Sequence, residues 1–233
     1  MFAGYPAAGL AIGCLLSFLY LAAGKIFSDA LVAVTLVAGS ILVTGAIHLD
    51  GLADCADAFY GKRSKEERLR ILKDPRIGTM GSAAIGISLL ARFATLSTLV
   101  GPTVLLALPV MTAFSRTTIL IALRLLPYAR KRGGIISQPS NRSLHSTSAL
   151  ALAVSVVFAV AILLPVPTLL AFLALAGFWR LSWNRIGGCT GDVLGASIEI
   201  AEIVFLVALA ALDHLGTAFG VFYPLATLVF PAA

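Results

Sequence analysis

Long runs of apolar residues, separated by short polar segments, dominate this chain. Each run has about the length of a helix that crosses a bilayer, which takes roughly 20 residues. The pattern therefore predicts an all-α, polytopic helical membrane protein with seven or eight transmembrane helices, forming a single integral membrane domain over residues 1–233. The predicted spans cover residues 6–23, 28–48, 81–100, 103–123, 149–164, 168–178, 193–212 and 215–230.

Two of these runs, 149–164 and 168–178, are short, so they form either two thin spans or a re-entrant hairpin. A polar helix is predicted at about 65–72, ended by Pro75 because the residue before a proline avoids helical geometry. The first run is not a cleavable signal peptide, since no basic segment precedes it and equivalent runs follow.

Composition supports the membrane assignment. The chain is 59% hydrophobic and 12% charged, with a mean hydropathy of +0.99, which excludes an ordinary soluble domain. Its three cysteines, Cys14, Cys55 and Cys189, are far apart and have no paired spacing. This arrangement argues against a zinc site and against a disulfide framework.

The basic residues predict the orientation. Most of the 17 Lys and Arg residues fall in the segments 62–76, 124–142 and 180–185, which the predicted spans place on one side. The positive-inside bias makes that side cytoplasmic. The net charge of +6 therefore serves topology and attraction to anionic lipid, and no segment resembles a nucleic-acid-binding module.

Three aspartates follow directly after the second predicted span. Asp50, Asp54 and Asp57 are spaced i, i+4 and i+7, which places them on one face of a helix. Like charges at a membrane boundary repel each other unless a cation lies among them. We therefore predict that they hold a divalent metal together with a phosphorylated substrate.

A second acidic group, Asp192, Glu199 and Glu202, shares one side of the run 193–212 and its start. The glycine-rich segment 187–192 precedes it, and its backbone can approach a phosphate before a helix begins. Two alternatives stay open. The glutamates can form an internal ion pair with Arg92 or Arg116, and the glycines can be a simple loop into a helix.

A third polar element covers residues 73–81. Lys73 and Arg76 are candidate phosphate ligands, and Gly78 and Gly81 allow a tight turn before the next span. A basic turn beside the membrane, with no ligand, explains this segment equally well.

Taken together, these motifs resemble one family. The segments 48–57, 71–81 and 187–199, with Ser115, Arg116, Arg130 and Gly133, are similar in order and spacing to cobalamin synthase, also called adenosylcobinamide-GDP ribazoletransferase. The chain departs from the family at Ala58, usually Gly, and at Pro75, often Ser. It also begins almost at the first span, which fits a late start site or a shortened form. The stretch after Leu215 has no family counterpart that we can assign.

The resemblance implies a Mg²⁺-dependent enzyme of cobalamin biosynthesis in the bacterial or archaeal cytoplasmic membrane, with its active site on the cytoplasmic side. The implied partners are adenosylcobinamide-GDP, α-ribazole or its 5′-phosphate, and the lipid bilayer. A ribose hydroxyl of α-ribazole attacks the cobinamide-side phosphorus, and GMP leaves. The oligomeric state stays open.

The resemblance also implies roles for individual residues. The expected metal ligands are Asp50, Asp54, Asp57, Asp192 and Glu199. The expected catalytic residues are Asp57 or His48 as the proton acceptor, and Lys73, Arg76 and Arg116 to stabilise charge. The expected substrate-binding residues are Gly51, Asp74, Gly78, Gly81, Arg130, Gly188, Thr190, Gly191 and Glu202. His48 is also compatible with a packing role.

Two rival functions are considered. One is another membrane transferase that uses a diphosphate, such as a CDP-alcohol phosphotransferase or an aspartate-rich prenyltransferase. The motif of a CDP-alcohol phosphotransferase matches only in part, because Asp50 and Gly51 are followed by Ala53 and Asp54. An aspartate-rich prenyltransferase requires a second aspartate-rich motif, and the match to that motif is poor. The other rival is an ion-coupled transporter, which predicts repeated halves with broken helices that the sequence does not show.

Overall fold

A computed structural model describes residues 4–99, 101–130, 155–157 and 159–216 of the chain. The prediction of an all-helical fold is confirmed for this part of the molecule. The helices are α1 (Tyr5–Ala23), α2 (Asp29–Thr44), α3 (Ile47–Phe59), α4 (Lys65–Ile71), α5 (Thr79–Thr98), α6 (Pro102–Leu125), α7 (Pro165–Ile186) and α8 (Gly191–His214).

Five of these helices, α1, α5, α6, α7 and α8, are long and apolar enough to cross a membrane, and α2 with α3 forms a sixth, bent candidate. Residues 217–230 of the last predicted run and seven of the sixteen residues of 149–164 lie outside the described residues, so the count of seven or eight spans stays a prediction. The boundary of the run 168–178 was wrong, because α7 continues to Ile186. Its last turns carry Arg180 and Arg185, whose long aliphatic stems can lie along apolar surface while the charge reaches water.

The second predicted span ends earlier than expected, and this break positions the aspartates. Helix α2 stops at Thr44, because Gly45 and Ala46 both have left-handed backbone angles (φ 62° and 59°). A left-handed residue ends a helix, and glycine adopts that conformation without steric cost. Helix α3 then leaves at 89° to α2. The aspartates are thus carried by a separate helix at one end of the bundle.

Helices α1 and α6 pack against each other as an antiparallel pair, and α6 also packs against α8. The Ser17 hydroxyl donates to the Leu105 carbonyl at 3.0 Å, and the Gly101 N–H donates to the Tyr20 hydroxyl at 2.8 Å. Helix α6 in turn contacts α8. These two are the most buried of the five long apolar helices. Helix α8 therefore forms a fixed central element against which α3 is held.

The described parts of the three basic segments meet at one end of the bundle. The Arg130 guanidinium donates to the Leu72 carbonyl at 3.1 Å, and the Arg185 guanidinium donates to the Gly61 carbonyl at 3.5 Å. The Cys189 N–H donates to the Pro127 carbonyl at 2.9 Å. The expectation that these segments share a side is confirmed for the described residues.

Candidate active site

Helix α3 crosses the first turns of α8 at very short range. A Cβ atom on Gly51 would lie 2.7 Å from the Asp192 carbonyl oxygen, and one on Gly195 would lie 3.3 Å from the Ile47 carbonyl oxygen. Only glycine permits two helix backbones to approach this closely. Gly51, predicted to bind substrate, therefore acts as the packing contact that brings the two acidic segments together.

This crossing gathers carboxylates from distant parts of the chain. The partly buried Asp54 is close enough to Asp50 and Asp57 on its own helix, and to Asp192 at the start of α8, to interact electrostatically with all three. Because like charges that are partly removed from water repel strongly, the group attracts cations. The fold therefore brings the carboxylates of Asp54 and Asp192 close to each other, as the sequence predicted.

Arg130 is the cation that the fold supplies to this group. Its Nη2 lies 3.2 Å from Asp192 Oδ2 and 3.1 Å from the Leu72 carbonyl oxygen, and its charge also acts on Asp54. Its Nε is buried and has no hydrogen-bond partner among the described residues. Within the described part of the chain, this one guanidinium lies among four carboxylates, so the described side chains give the site a net negative charge.

Asp57 has a structural partner on each carboxylate oxygen. Oδ2 accepts the Gly78 N–H at 2.6 Å, and Oδ1 accepts the Gly81 N–H at 2.9 Å. These are free N–H groups at the start of α5, which a carboxylate stabilises by hydrogen bonding and by its charge. Asp57 thus caps α5 from a neighbouring helix, and Gly78 and Gly81 serve this cap.

The glycine-rich segment before α8 is held as a fixed turn. Gly188 has a φ of 156°, and a Cβ atom there would lie 2.0 Å from the Pro127 carbonyl oxygen, so only glycine fits. Thr190 caps α8 through the Val193 N–H at 3.4 Å and donates its hydroxyl to Asp192 at 3.1 Å. Gly191 is exposed at the first position of α8. Burial raises the pKa of Cys189 to about 11, which keeps this thiol neutral and unreactive.

The basic residues of the segment 73–81 lie at the rim of the site. Arg76 pairs with Asp74 at 2.7 Å, and its side chain is 86% exposed. Hydrogen bonds from the Arg76 side chain and backbone lower the pKa of Asp74 to about 2. Lys73 is exposed. The Asp74 carboxylate is therefore bound to Arg76 rather than facing the aspartate group, which consists of Asp50, Asp54, Asp57 and Asp192.

The glutamates of α8 form a separate, buried cluster. Glu202 contacts both Arg92 (2.7 Å) and Arg116, and Glu199 accepts from Arg92 at 2.8 Å. Ser88 and Ser115 donate to Glu199 and Glu202 at 3.2 and 2.8 Å. Each of these four charged side chains is at most 7% exposed. The ion-pair alternative is what the fold contains, and it corrects the assignment of Glu199 to the metal, of Glu202 to substrate and of Arg116 to the phosphates.

His48 belongs to the same buried region. It lines a narrow pocket together with Arg92, Arg116, Glu199 and Glu202, enclosed by apolar residues of α1, α2, α5 and α6. This placement supports a packing role for His48.

One functional contact was not visible in the sequence. Arg68 lies in the basic segment 62–76 and in the predicted polar helix, and its residue type predicts an exposed side chain, yet that side chain is buried and donates to the carbonyl oxygens of Ala58 (2.6 Å) and Gly61 (2.8 Å). It closes the turn between α3 and α4. No local pattern distinguishes it from its exposed neighbours, because its burial comes from tertiary packing.

The carboxylates of this site fit Mg²⁺ only if water and substrate oxygens complete its coordination. Among the described residues, no group of three or more His, Cys, Asp or Glu side chains is close enough to hold a metal by itself. Mg²⁺ usually keeps several waters and is bound through one or two carboxylates plus substrate phosphates. Asp54 and Asp192, with Asp50 beside them, suit such a site.

Comparison with known proteins identifies the relatives of this chain. A family model described as cobalamin-5-phosphate synthase matches residues 1–210. A protein from Clostridium novyi is 32% identical over 91% of this chain and 86% of its own length. One from Mesorhizobium japonicum is 39% identical over 89% and 82%. One from Escherichia coli is 36% identical over 88% and 85%.

All three relatives are named adenosylcobinamide-GDP ribazoletransferase. No solved structure matches this chain. The matches confirm the resemblance inferred from the motifs and the prediction that the chain is an enzyme, a transferase.

Proposed function

Since the chain belongs to the cobalamin-5-phosphate synthase family, we propose that it transfers the cobinamide phosphoryl group of adenosylcobinamide-GDP to a ribose hydroxyl of α-ribazole or its 5′-phosphate. The hydroxyl oxygen forms a bond to the cobinamide-side phosphorus, the bond from that phosphorus to the bridging oxygen breaks, and GMP leaves. The hydroxyl proton passes to a carboxylate of the site.

The observation that carries this proposal is the meeting of Asp54 with Asp192 where α3 crosses α8. Phosphoryl transfer depends mainly on positioning and on neutralising charge. A group of carboxylates that is partly buried, and among which the described residues place only one cation, is suited to hold a divalent metal with a diphosphate. A purely structural cluster would be neutralised by its own partners.

We propose Mg²⁺ as the cofactor, with Asp54 and Asp192 as principal ligands and Asp50 beside them. When bound, the metal neutralises charge on the diphosphate oxygens. Asp57 keeps a free lone pair on each oxygen and lies within the same group, but it first holds the start of α5. These contacts favour Asp54 over Asp57 as a metal ligand.

Of the cations that the structure describes, Arg130 is the best placed to contact the diphosphate, because its buried Nε–H has no partner in that part of the chain and its Nη2 already reaches the site. Lys73 and Arg76 are placed to meet the guanosine side of the substrate from the rim, since both are exposed on the adjoining segment. The glycine-rich turn and Thr190 orient Asp192.

We propose that the protein lies in the bacterial or archaeal cytoplasmic membrane and that this site faces the cytoplasm. Three basic segments converge at this end of the bundle, and the positive-inside bias places such segments in the cytoplasm. The corrinoid and nucleotide substrates would then reach the site from water.

The proposal is tested with purified protein in lipid nanodiscs. We expect release of GMP from adenosylcobinamide-GDP only when α-ribazole or its 5′-phosphate and Mg²⁺ are both present. CDP-diacylglycerol and prenyl diphosphates should give no product. Turnover of either of these in place of adenosylcobinamide-GDP, or solute uptake into proteoliposomes without turnover of any diphosphate, would contradict the proposal.

A further inference from the structure

A groove of about 340 Å³ lies beside α3, on the side of that helix away from its aspartates. The residues that α3 contributes to its wall are spaced i, i+3, i+4 and i+7, which is one face of a helix. They are Leu52, Cys55, Ala56 and Phe59. The three aspartates of α3 lie on the opposite face. An occupant of the groove is therefore separated from the reacting groups by α3 itself.

The rest of the wall is also largely apolar and belongs to helices that can cross a membrane. It includes Met80 of α5, Phe178 and Leu181 of α7, and Ile200 of α8. The rings of Phe59 and Phe178 lie 6.2 Å apart. Met80 and Leu181 are 36% and 38% exposed, although both side chains are large and apolar. Exposed apolar surface of this kind on a membrane-spanning helix is complementary to acyl chains.

One end of the groove is polar. Arg185 lies seven residues after Phe178 on α7, which places its backbone roughly 10 Å further along the helix axis. Its guanidinium donates to the carbonyl of Gly61, the neighbour of Tyr60, at 3.5 Å. Tyr60 also lines the groove and is 62% exposed. Tyrosine rings are enriched at the level of lipid headgroups, so the groove runs from an apolar interior to a polar end at the basic end of the bundle.

Two guanidinium groups meet at this polar end. The Gly61 carbonyl accepts Arg68 at 2.8 Å as well as Arg185 at 3.5 Å, and Arg63 lies close enough to Arg68 to repel its charge. Among the described residues, neither Arg68 nor Arg185 forms an ion pair with a carboxylate. Glu67 is the acidic group that acts on Arg68, and its carboxylate accepts a backbone N–H at the cap of α4 at 2.8 Å. The polar end is therefore complementary to an anion.

From this arrangement we propose that the groove binds a phospholipid with an anionic headgroup. One acyl chain lies along Leu181 and Phe178, and the phosphate contacts Arg185. An acyl chain matches the exposed apolar wall, and a phosphate accepts the paired donors of a guanidinium. A zwitterionic lipid fits less well, because its own ammonium group is repelled by Arg63 and Arg185. This inference goes beyond the proposed transfer reaction and does not depend on it.

The headgroup contact is tested by Arg185→Gln, with Arg180→Gln as the matched control. Arg180 carries the same charge on the same helix, is exposed and does not line the groove. Purified protein is given equal amounts of phosphatidylglycerol and phosphatidylcholine with identical chains, and bound lipid is identified by native mass spectrometry. We expect the wild type to prefer phosphatidylglycerol by roughly tenfold, since a hydrogen bond to a charged group discriminates by about that factor. Arg185→Gln should abolish this preference, and Arg180→Gln should keep it.

The acyl-chain contact is tested by filling the groove. Ala56→Leu on α3 and Leu181→Trp on α7 should each remove the bound lipid whatever its headgroup, because the larger side chain occupies its place. Leu173→Trp, at another exposed position of α7 outside the groove, is the control. Phosphatidylglycerol should raise the melting temperature of the wild type and of Leu173→Trp but not that of either filling variant, since a ligand stabilises the folded state that binds it.

Equal retention of the two lipids by the wild type, or phosphatidylglycerol still bound in both filling variants, would overturn the inference. Equal loss of lipid from Arg185→Gln and Arg180→Gln would also overturn it, because the attraction would then come from general surface charge. Displacement of the lipid by α-ribazole 5′-phosphate would assign the groove to the acceptor instead, and dimers that Leu181→Trp dissociates would assign it to a second copy of the chain. These measurements need no turnover, so an enzyme inactive in the transfer assay would refute the proposed function and leave the lipid site standing.

Discussion

The aspartate group and the buried glutamate cluster are both built on α8, and they differ in how their charges are balanced. Glu199 and Glu202 are paired with Arg92 and Arg116, one cation for each carboxylate, and water is excluded. Of the cations that the structure describes, only Arg130 lies among the aspartates at the end of the bundle, and these aspartates remain partly open to solvent. Carboxylates that the fold neutralises hold helices together, whereas carboxylates that it leaves unneutralised are available to a ligand.

The largest effect expected from this contrast is on activity at Asp54. Asp54→Asn should lower the transfer rate by roughly a thousandfold or more, because a metal ligand is lost while the helix surface is unchanged. Folding and membrane insertion should be as in the wild type by size-exclusion chromatography. Asp29→Asn, which makes the same change at the start of α2 away from the site, is the control and should be silent. Wild-type rates from Asp54→Asn would refute the metal assignment.

The opposite outcome is expected in the buried cluster. Glu202→Gln leaves two buried guanidinium groups with Glu199 alone, and breaking a buried ion pair costs about 3–5 kcal/mol. The free energy of unfolding should therefore fall, while KM for either substrate stays near the wild-type value in the protein that remains folded. Thermal unfolding can be followed with a thiol-reactive dye, since Cys55 and Cys189 are buried in the native state.

The control for this measurement is Glu66→Gln on the exposed face of α4, which should leave the melting temperature unchanged. A Glu202→Gln protein with wild-type stability and a raised substrate KM would instead place Glu202 at the substrate.

An intermediate effect is expected at Arg130. Arg130→Gln should raise KM for adenosylcobinamide-GDP by roughly ten- to a hundredfold, because charge-assisted hydrogen bonds to the diphosphate are lost. The same change removes the one cation that the described residues place among the aspartates, so Mg²⁺ affinity, measured by titration of activity, should not fall. Arg70→Gln on the exposed side of α4 is the control. An Arg130→Gln enzyme that binds the donor normally would contradict the assigned contact.

The smallest effect is expected at the rim. Arg76→Gln should change the transfer rate by only about two- to tenfold, since its guanidinium is exposed and paired with Asp74, and exposed ion pairs are weak. The measurement is kcat/KM for adenosylcobinamide-GDP at low and high salt. A loss as large as that of Asp54→Asn would move Arg76 from the rim into the reacting centre.

Much of the fold follows from the apolar runs. The bounds of α1, α5, α6 and α8 are close to the predicted spans, because spans in a bilayer must be apolar over a fixed length. The break at Gly45 and Ala46 was not predicted, since Ala46 in a left-handed conformation has no sequence signal. The extension of α7 to Ile186 was not predicted either, because arginines in its last turns resemble a loop.

The sequence by itself determined that this chain is a membrane protein and which carboxylates are exceptional, because a charged residue in an apolar run is costly and therefore stands out. Only the tertiary structure decided which of these carboxylates are neutralised by an ion pair with an arginine. Glu199 lies seven residues from Asp192, nearly on the same face of α8, yet the first meets an arginine of α5 and the second meets the aspartates of α3. Spacing fixes the face of one helix, whereas the charge of a site depends on which other helices pack against that face.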